Sequence, residues 1–325
     1  MVARSSIFQT IQIGPESVAP GTAAPADIQL TGLNIEPGPK VDISKYRAMG
    51  VKFQGVSSLN KEWVEASVSG PITYTEMVYP LSGIFTRVTP VLGTAAYTWT
   101  FNINASSEDN PMTFTVEQGS SLRAHRFTYG LFNAFNMKFS RSGNEIGGSM
   151  IGAALTDGIT MTATPTALDL VPVQPTEVAI KIADTYAGLG AAPNLTRALE
   201  YNIDISDRYS MLYPLNQSTS WATHVETAPA ITASLLLEAN AEGMGFLTDM
   251  RNGDFVFIRA TATGPQIAGS EYYRLTCDLA ARVVDVDPFS DQDGIYAINW
   301  KFEAFLDPTW NDALEVVVIN DLASL

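Results

Sequence analysis

One short pattern occurs twice at a fixed distance, and it constrains the fold more than any other stretch of the chain. The first copy is Phe135-Asn136-Met137-Lys138-Phe139 and the second is Ile298-Asn299-Trp300-Lys301-Phe302, 163 residues further on. Both read apolar, Asn, apolar, Lys, Phe, and both follow a glycine, Gly130 and Gly294. Successive side chains of a strand point to opposite faces. Phe135, Met137 and Phe139 therefore share one face and Asn136 and Lys138 the other. Ile298, Trp300 and Phe302 oppose Asn299 and Lys301 in the same way. Burying each such apolar side chain contributes roughly 1.5–3 kcal/mol, so each copy predicts a core strand. Two copies at one offset predict a tandem duplication.

Two further echoes keep the same order. Val41-Asp42-Ile43-Ser44-Lys45-Tyr46 returns loosely as Ile203-Asp204-Ile205-Ser206-Asp207-Arg208-Tyr209, with Ser44 and Ser206 separated by 162 residues. The Trp63–Val68 strand, followed by Gly70-Pro71-Ile72-Thr73, returns as Trp221–Val225 followed by Ala228-Pro229-Ala230-Ile231-Thr232, at an offset of 158. Self-similarity at one period is the mark of repeated structural units. A length of 325 residues also suits two domains. The reading divides the chain into an arm (1–40), a first unit (41–160), a linker with a connecting strand (161–198) and a second unit (199–325). In the arm, Ile7 to Ile13 alternates as a strand, Gly14-Pro15 ends it, and Pro20, Pro25, Pro37 and Pro39 mark an extended path.

The rest reads as β. Tyr97–Ile103 and Met112–Val116 alternate cleanly and are expected to form a hairpin through Asp109-Asn110-Pro111. Phe255–Arg259 with Tyr273–Cys277 is the matching pair in the second half. Thr176–Ile182 and Leu314–Ile319 are further strands, the last of which needs a partner to avoid a bare edge. Helix is expected only over Leu235–Met250, closed by Asn252-Gly253, and over Glu76–Phe85, limited by Pro80. Strands rich in Thr, Val, Ile and aromatics suit sandwiches or barrels. The fold class is mainly β, with two tandem sandwich or barrel domains, each carrying a short flanking helix.

Charge and composition restrict function. Nineteen basic against 34 acidic residues give a net charge of −15. That argues against gripping nucleic acid, which depends on Lys and Arg. Charged residues make up only 16% of the chain, which predicts a surface largely covered in an assembly. Cys277 is the single cysteine, so no intrachain disulfide forms. No apolar run approaches the roughly 18–20 residues of a membrane span, and no secretory signal is visible. The sequons at Asn104, Asn194 and Asn216 are short enough to be chance matches.

Chemistry-bearing motifs are sparse. His125 and His224 have no Cys or Asp at ligand or triad spacing, and no nucleophile elbow, phosphate loop or dinucleotide fingerprint is present. Asp285, Asp287, Asp291 and Asp293-Gly294 suggest calcium, but the spacing fails the twelve-residue loop and lacks its closing Glu. A solvated turn is the simpler reading. Glu117 and Glu303 are isolated strand carboxylates, expected to face solvent or a lumen. No catalytic, metal or cofactor site is predicted.

Several stretches taken in order resemble a known family. They are Ile11-Gln12-Ile13-Gly14-Pro15-Glu16 with Gly21-Thr22, then Ile35-Glu36-Pro37-Gly38-Pro39, then Glu62-Trp63 leading to Val68-Ser69-Gly70-Pro71-Ile72-Thr73-Tyr74. Tyr97–Phe101, Phe114–Gly119, Phe139–Gly143 and Gly148–Gly152 complete the series. Over residues 7–155 the chain resembles the tail tube, or major tail, proteins of long-tailed, non-contractile bacteriophages. The resemblance implies a β-sandwich with a flanking helix, whose inner sheet joins those of its neighbours in a closed barrel around a channel. It implies a structural protein of the virion tail, assembled in the host cytoplasm, that stacks as rings and passes genomic DNA without binding it. Its partners would be further copies of itself, the tape-measure protein and the tail terminator, with no membrane insertion. Rings of the family usually hold six units, so two fused units imply a trimer with pseudo-sixfold symmetry. A second half that is instead an unrelated β-domain would imply a hexamer. The competing function is a β-sandwich capsid-decorating, receptor- or carbohydrate-binding module.

Overall fold

The computed structural model describes residues 8–120, 122–216, 218–240 and 243–325. In chain order the first half runs β1 (Thr10–Pro15), β2 (Ile28–Leu30), β3 (Asn34–Tyr46), β4 (Val56–Pro71), helix α1 (Val78–Ile84), β5 (Val91–Leu92), β6 (Tyr97–Asn102), β7 (Phe114–Ser120), β8 (Arg123–Ser140), β9 (Gly143–Gly152), β10 (Thr156–Ile159) and β11 (Thr166–Ala167). The second runs β12 (Val178–Ala183), β13 (Ala198–Ser206), β14 (Tyr209–Leu212), β15 (Thr223–Glu226), β16 (Ala230–Glu238), helix α2 (Phe246–Asn252), β17 (Val256–Ala268), β18 (Glu271–Val286), β19 (Ser290–Gln292), β20 (Ile295–Ala304) and β21 (Leu314–Asn320).

The largest element is an antiparallel sheet of eight strands in the order β3-β4-β9-β8-β13-β16-β20-β18. Its two halves meet where β8 pairs with β13, from Phe135 opposite Ile205 to Ser140 opposite Glu200. A second layer contains β11-β2-β1-β7-β8-β10 in the first half and β12-β17-β18-β21 in the second, the latter extended by β6 and β5 of the first half. The long strands β8 and β18 belong to both layers, and each carries a bulge, at Asn133 and Val284. Bulges bend a strand and let it change direction. Alternate residues of the eight strands, such as Val64, Val68, Phe135, Met137, Ile203, Leu235, Trp300 and Phe302, meet Ile13, Phe114, Val116, Ile258 and Leu275 of the second layer in one core.

The pairing pattern occurs twice. A leading strand (β1, β12) pairs with a strand C-terminal to the helix: β17 directly after α2, and β7 after α1 with β5 and β6 intervening. A two-stranded pair (β3–β4, β13–β16) precedes that helix. The strand C-terminal to the helix pairs with a long bent strand (β8, β18), which pairs in turn with β9 or β20. That strand closes on β4 or β16, and a last strand (β10, β21) flanks the long one.

This pattern separates two of the three sequence echoes that suggested it. Phe135–Phe139 lies in β8, between β9 and β13, whereas Ile298–Phe302 lies in β20, between β16 and β18. By its neighbours β20 is the counterpart of β9. The two pentapeptides share a demand, one buried apolar face beside one polar face, and not a position. Trp63 and Trp221 also differ in place: Trp63 is in β4 and Trp221 in the turn before β15.

Other expectations are corrected by pairing. Tyr97–Ile103 and Met112–Val116 do not form a hairpin: β6 crosses to β21, with Phe101 opposite Val316, and β7 pairs with β1 and β8. Trp99 and Phe101 are buried there, and the Trp99 indole donates to Asn320 Oδ1 at 3.0 Å. Leu235–Glu238 is strand, because its alternate residues Leu235 and Leu237 are buried and its backbone is bonded on both sides by β13 and β20. Among the described residues of that stretch, helix is confined to α2, which ends on Gly253 in the left-handed conformation (φ 70°). In α1, Pro80 falls in the first turn, where its missing N–H costs nothing. Ile7, Ala241 and Glu242, which fell within an expected strand and an expected helix, lie outside the described residues.

Candidate functional site

The face of the eight-stranded sheet opposite the core is an extended surface carried by paired strands. Alternation places Glu65, Ser67 and Ser69 of β4 on it, with Glu145, Gly147 and Ser149 of β9 and Asn136 and Lys138 of β8. The second half adds Glu200, Asn202 and Asp204 of β13, Thr232 and Ser234 of β16, and Asn299, Lys301 and Glu303 of β20. Most of their apolar neighbours on each strand are committed to the core, so this face carries mainly small and polar side chains, with Leu236 of β16 in its middle and Trp63 and Ile151 at one end as apolar exceptions.

Three of its lysines are paired across strands. Lys40 meets Glu65 at 3.7 Å, and Lys138 meets Glu200 at 2.9 Å. Lys301 lies between Asp285 at 3.2 Å and Asp287 at 2.6 Å. Hydrogen bonds from Lys301 and Asn299 hold the Asp287 carboxyl below its usual range, and Asp287 and Asp285 raise the Lys301 ammonium. Asp204, flanked across the sheet by Asn136 and Thr232, is raised by burial. Exposed pairs of this kind add little stability. Their consequence here is electrostatic: a phosphate approaching the face meets no free ammonium at these positions.

The residues singled out from sequence divide accordingly. Asn136, Lys138, Asn299 and Lys301 are on the open face, and Phe135, Phe139, Ile298 and Phe302 are in the core. Glu303 is exposed on β20. Glu117 is not on any open surface: it is 2% exposed. The segment after β10 covers it, with Thr162 N donating to its carboxylate at 2.6 Å and Arg126 lying 3.8 Å away. Alternation alone could not show this, since both faces of β7 are buried. Of the acidic run, Asp285 and Asp287 share Lys301, whereas Asp291 accepts from Gly294 N in the turn. His125 contacts Gln118 and His224 contacts the Tyr129 hydroxyl; burial lowers both.

Two arrangements follow from no local sequence pattern. Trp63 and Trp221 meet in one small core with Tyr129, Leu131, Ile151 and Tyr209, where Trp221 stacks on Tyr129 at 4.0 Å. Beside it Arg208, fully buried, bonds Asp109 at 2.6 Å, Glu226 at 3.1 Å and the Ile84 carbonyl at 3.0 Å. Arg208 belongs to the second half, and Asp109 and Ile84 to the first, so the guanidinium ties the halves together. The second is an aromatic hollow lined by Tyr186, Phe255, Phe257 and Trp310. Tyr186 is stacked on Trp310 at 4.3 Å and has Arg259 within 5.9 Å of its ring, so these rings pack on one another. Among the described residues no helix is long and apolar enough to cross a membrane.

Comparison with protein-family models and with curated protein sequences returns no match.

Proposed function

We propose that this chain is a structural subunit of a bacteriophage tail tube, made of two fused tube-fold units. Its eight-stranded sheet would line a channel through which genomic DNA passes. The observation that carries the reading is the β8–β13 junction, where two copies of one pairing pattern are joined edge to edge in a single sheet. Joined again between chains, that sheet would close. Three copies give a barrel of about two dozen strands, well beyond the roughly 16 at which barrels enclose an aqueous channel. With strands ~4.8 Å apart and tilted by ~40°, the backbone diameter is about 48 Å. The open face then becomes the lumen. Short side chains, unpaired carboxylates and lysines already held by Glu200, Asp285 and Asp287 suit a wall that DNA slides past. The tape-measure protein and the terminator would be its partners inside and at the end of the tube.

Native mass spectrometry with negative-stain microscopy of the purified protein tests this. Rings of three copies that stack into hollow tubes are expected. A chain that stays monomeric at all concentrations would sink the reading, and rings of six copies would refute the fused-unit count.

A further inference from the structure

We propose that the hairpin arm formed by the ends of β3 and β4 docks into a socket at the β18–β20 end of a second copy of this chain. This rests on the tube reading for the ring that results, and the contact itself is argued from a template inside one chain. The second half has its own arm, because beyond Asp207 (φ 56°) its hairpin continues as β14–β15. That arm lies on the first half. Tyr209 N donates to Oδ1 of Asn133, the bulge residue of β8, at 2.8 Å, and Ala154 N donates to Ser220 Oγ at 3.2 Å. Tyr209 and Trp221 are each left 4% exposed by the contact.

The repeated pattern shows where the same contact is missing. The bulge on β18 places Val284 in the position of Asn133, each opposite the equivalent pair of residues on β20 or β9. Phe305 and Leu306 then follow β20 as Ala153 and Ala154 follow β9. One hydrogen bond agrees with this equivalence: Ala153 N reaches the Thr128 carbonyl, and Phe305 N reaches that of Ala280. On the arm, Ile43 holds the place of Tyr209, and Phe53 lies at the tip near the place of Trp221. In the first half the socket is filled and in the second it is bare, with Val284 46%, Phe305 37% and Leu306 50% exposed. The first arm is bare as well, with Ile43 41% and Phe53 79% exposed.

One chain cannot bring these two together. β3 and β18 are opposite edges of the eight-stranded sheet, about 34 Å apart at ~4.8 Å per strand. The occupant is therefore another copy, and the contact is head-to-tail, which closes a ring when the rotation allows. The strand edges alone would join poorly. Where β13 offers Ile203 and Ile205 to β8, β3 has Pro37 and Pro39, which lack N–H donors. The arm and its socket are left to carry the affinity.

Two surface variants test the assignment, Ile43→Asp in the arm and Leu306→Asp in the socket, with Ile43→Ser and Leu306→Ser as milder changes should either fail to fold. Near-UV circular dichroism and melting confirm that each is native. By analytical ultracentrifugation the wild type is expected as a closed oligomer, and each variant alone as a monomer over at least a tenfold range of concentration. Mixed in equal amounts, the arm variant and the socket variant should form a heterodimer that goes no further, since one good arm meets one good socket. Folded variants that assemble like wild type, or a mixture that gives no heterodimer, overturn the contact and leave the tube reading standing. Closed wild-type oligomers that depend on both residues but never stack as tubes support the contact and overturn the tube. A wild type that never associates overturns both.

Discussion

Replacing Arg208 by Met tests the claim that a buried charge ties the two halves together. The guanidinium is fully buried, and it reaches Asp109, which is also fully buried, Glu226 and the Ile84 carbonyl. Met fills much of the same volume without the charge or its donors. Removing one partner of a buried pair costs about 3–5 kcal/mol, because the other charge is left uncompensated. The lower end applies here. Asp109 keeps the Asn104 backbone N–H at 3.1 Å and its side-chain amide at 2.7 Å, and Glu226 keeps the Asp109 N–H at 2.8 Å. We expect a loss of about 3 kcal/mol in urea unfolding followed by tryptophan fluorescence. At 2–4 °C per kcal/mol, or somewhat less in so long a chain, melting should fall by roughly 5–10 °C. Adding Asp109→Asn removes the stranded charge, so the double variant should recover about half of the loss. A single variant that loses less than about 1 kcal/mol, or a double variant that loses the sum of both singles, would refute the account.

Four further outcomes follow from the geometry. Burial lowers His125 and His224, so as pH falls through the ordinary value of about 6.5 the unfolded chain takes up protons first. Urea midpoints should therefore drop between pH 7.5 and 5.5, and His224→Gln should flatten that dependence. Glu117→Gln should weaken the hold on Thr162 and speed hydrogen exchange over residues 156–167, while Glu303→Gln leaves it unchanged. Gly253→Ala forces a side chain into the left-handed region and should cost about 1–2 kcal/mol in the same unfolding assay. Assembled protein should retain little double-stranded DNA in a filter assay. The combination Glu200→Gln, Asp285→Asn, Asp287→Asn frees Lys138 and Lys301 and should add salt-sensitive retention.

The sequence revealed periodicity better than partnership. Strict alternation located β6 and β7, because a strand with one buried face must repeat every second residue. It could not say that β6 would leave β7 for β21, since alternation is blind to which edge a strand meets. Leu235–Glu238 has four residues that suit helix as well as strand, and only the ladders on both sides decide. Repetition was legible, but its register was not. The pentapeptides matched because every strand of this sheet has the same requirement, an apolar face inside and a polar face outside. Equivalent strands such as β9 and β20 meet that requirement with different letters: Ile146, Gly148 and Met150 against Ile298, Trp300 and Phe302. Glu117 and Arg208 were illegible for a related reason. A buried charge is set by distant partners, Thr162 and Asp109, that no local pattern announces.

The β8–β13 junction has a kinetic consequence. An edge contact between separate subunits must form by collision, at a rate and affinity that depend on how much protein has accumulated. Within one chain the same contact forms at an effective concentration fixed by the connecting segment, in the millimolar range for short tethers, however scarce the protein is. Any closed assembly of this sheet starts with every second seam already made and in the correct register. Its growth then depends on one kind of encounter, and an unfinished ring can expose only one kind of seam.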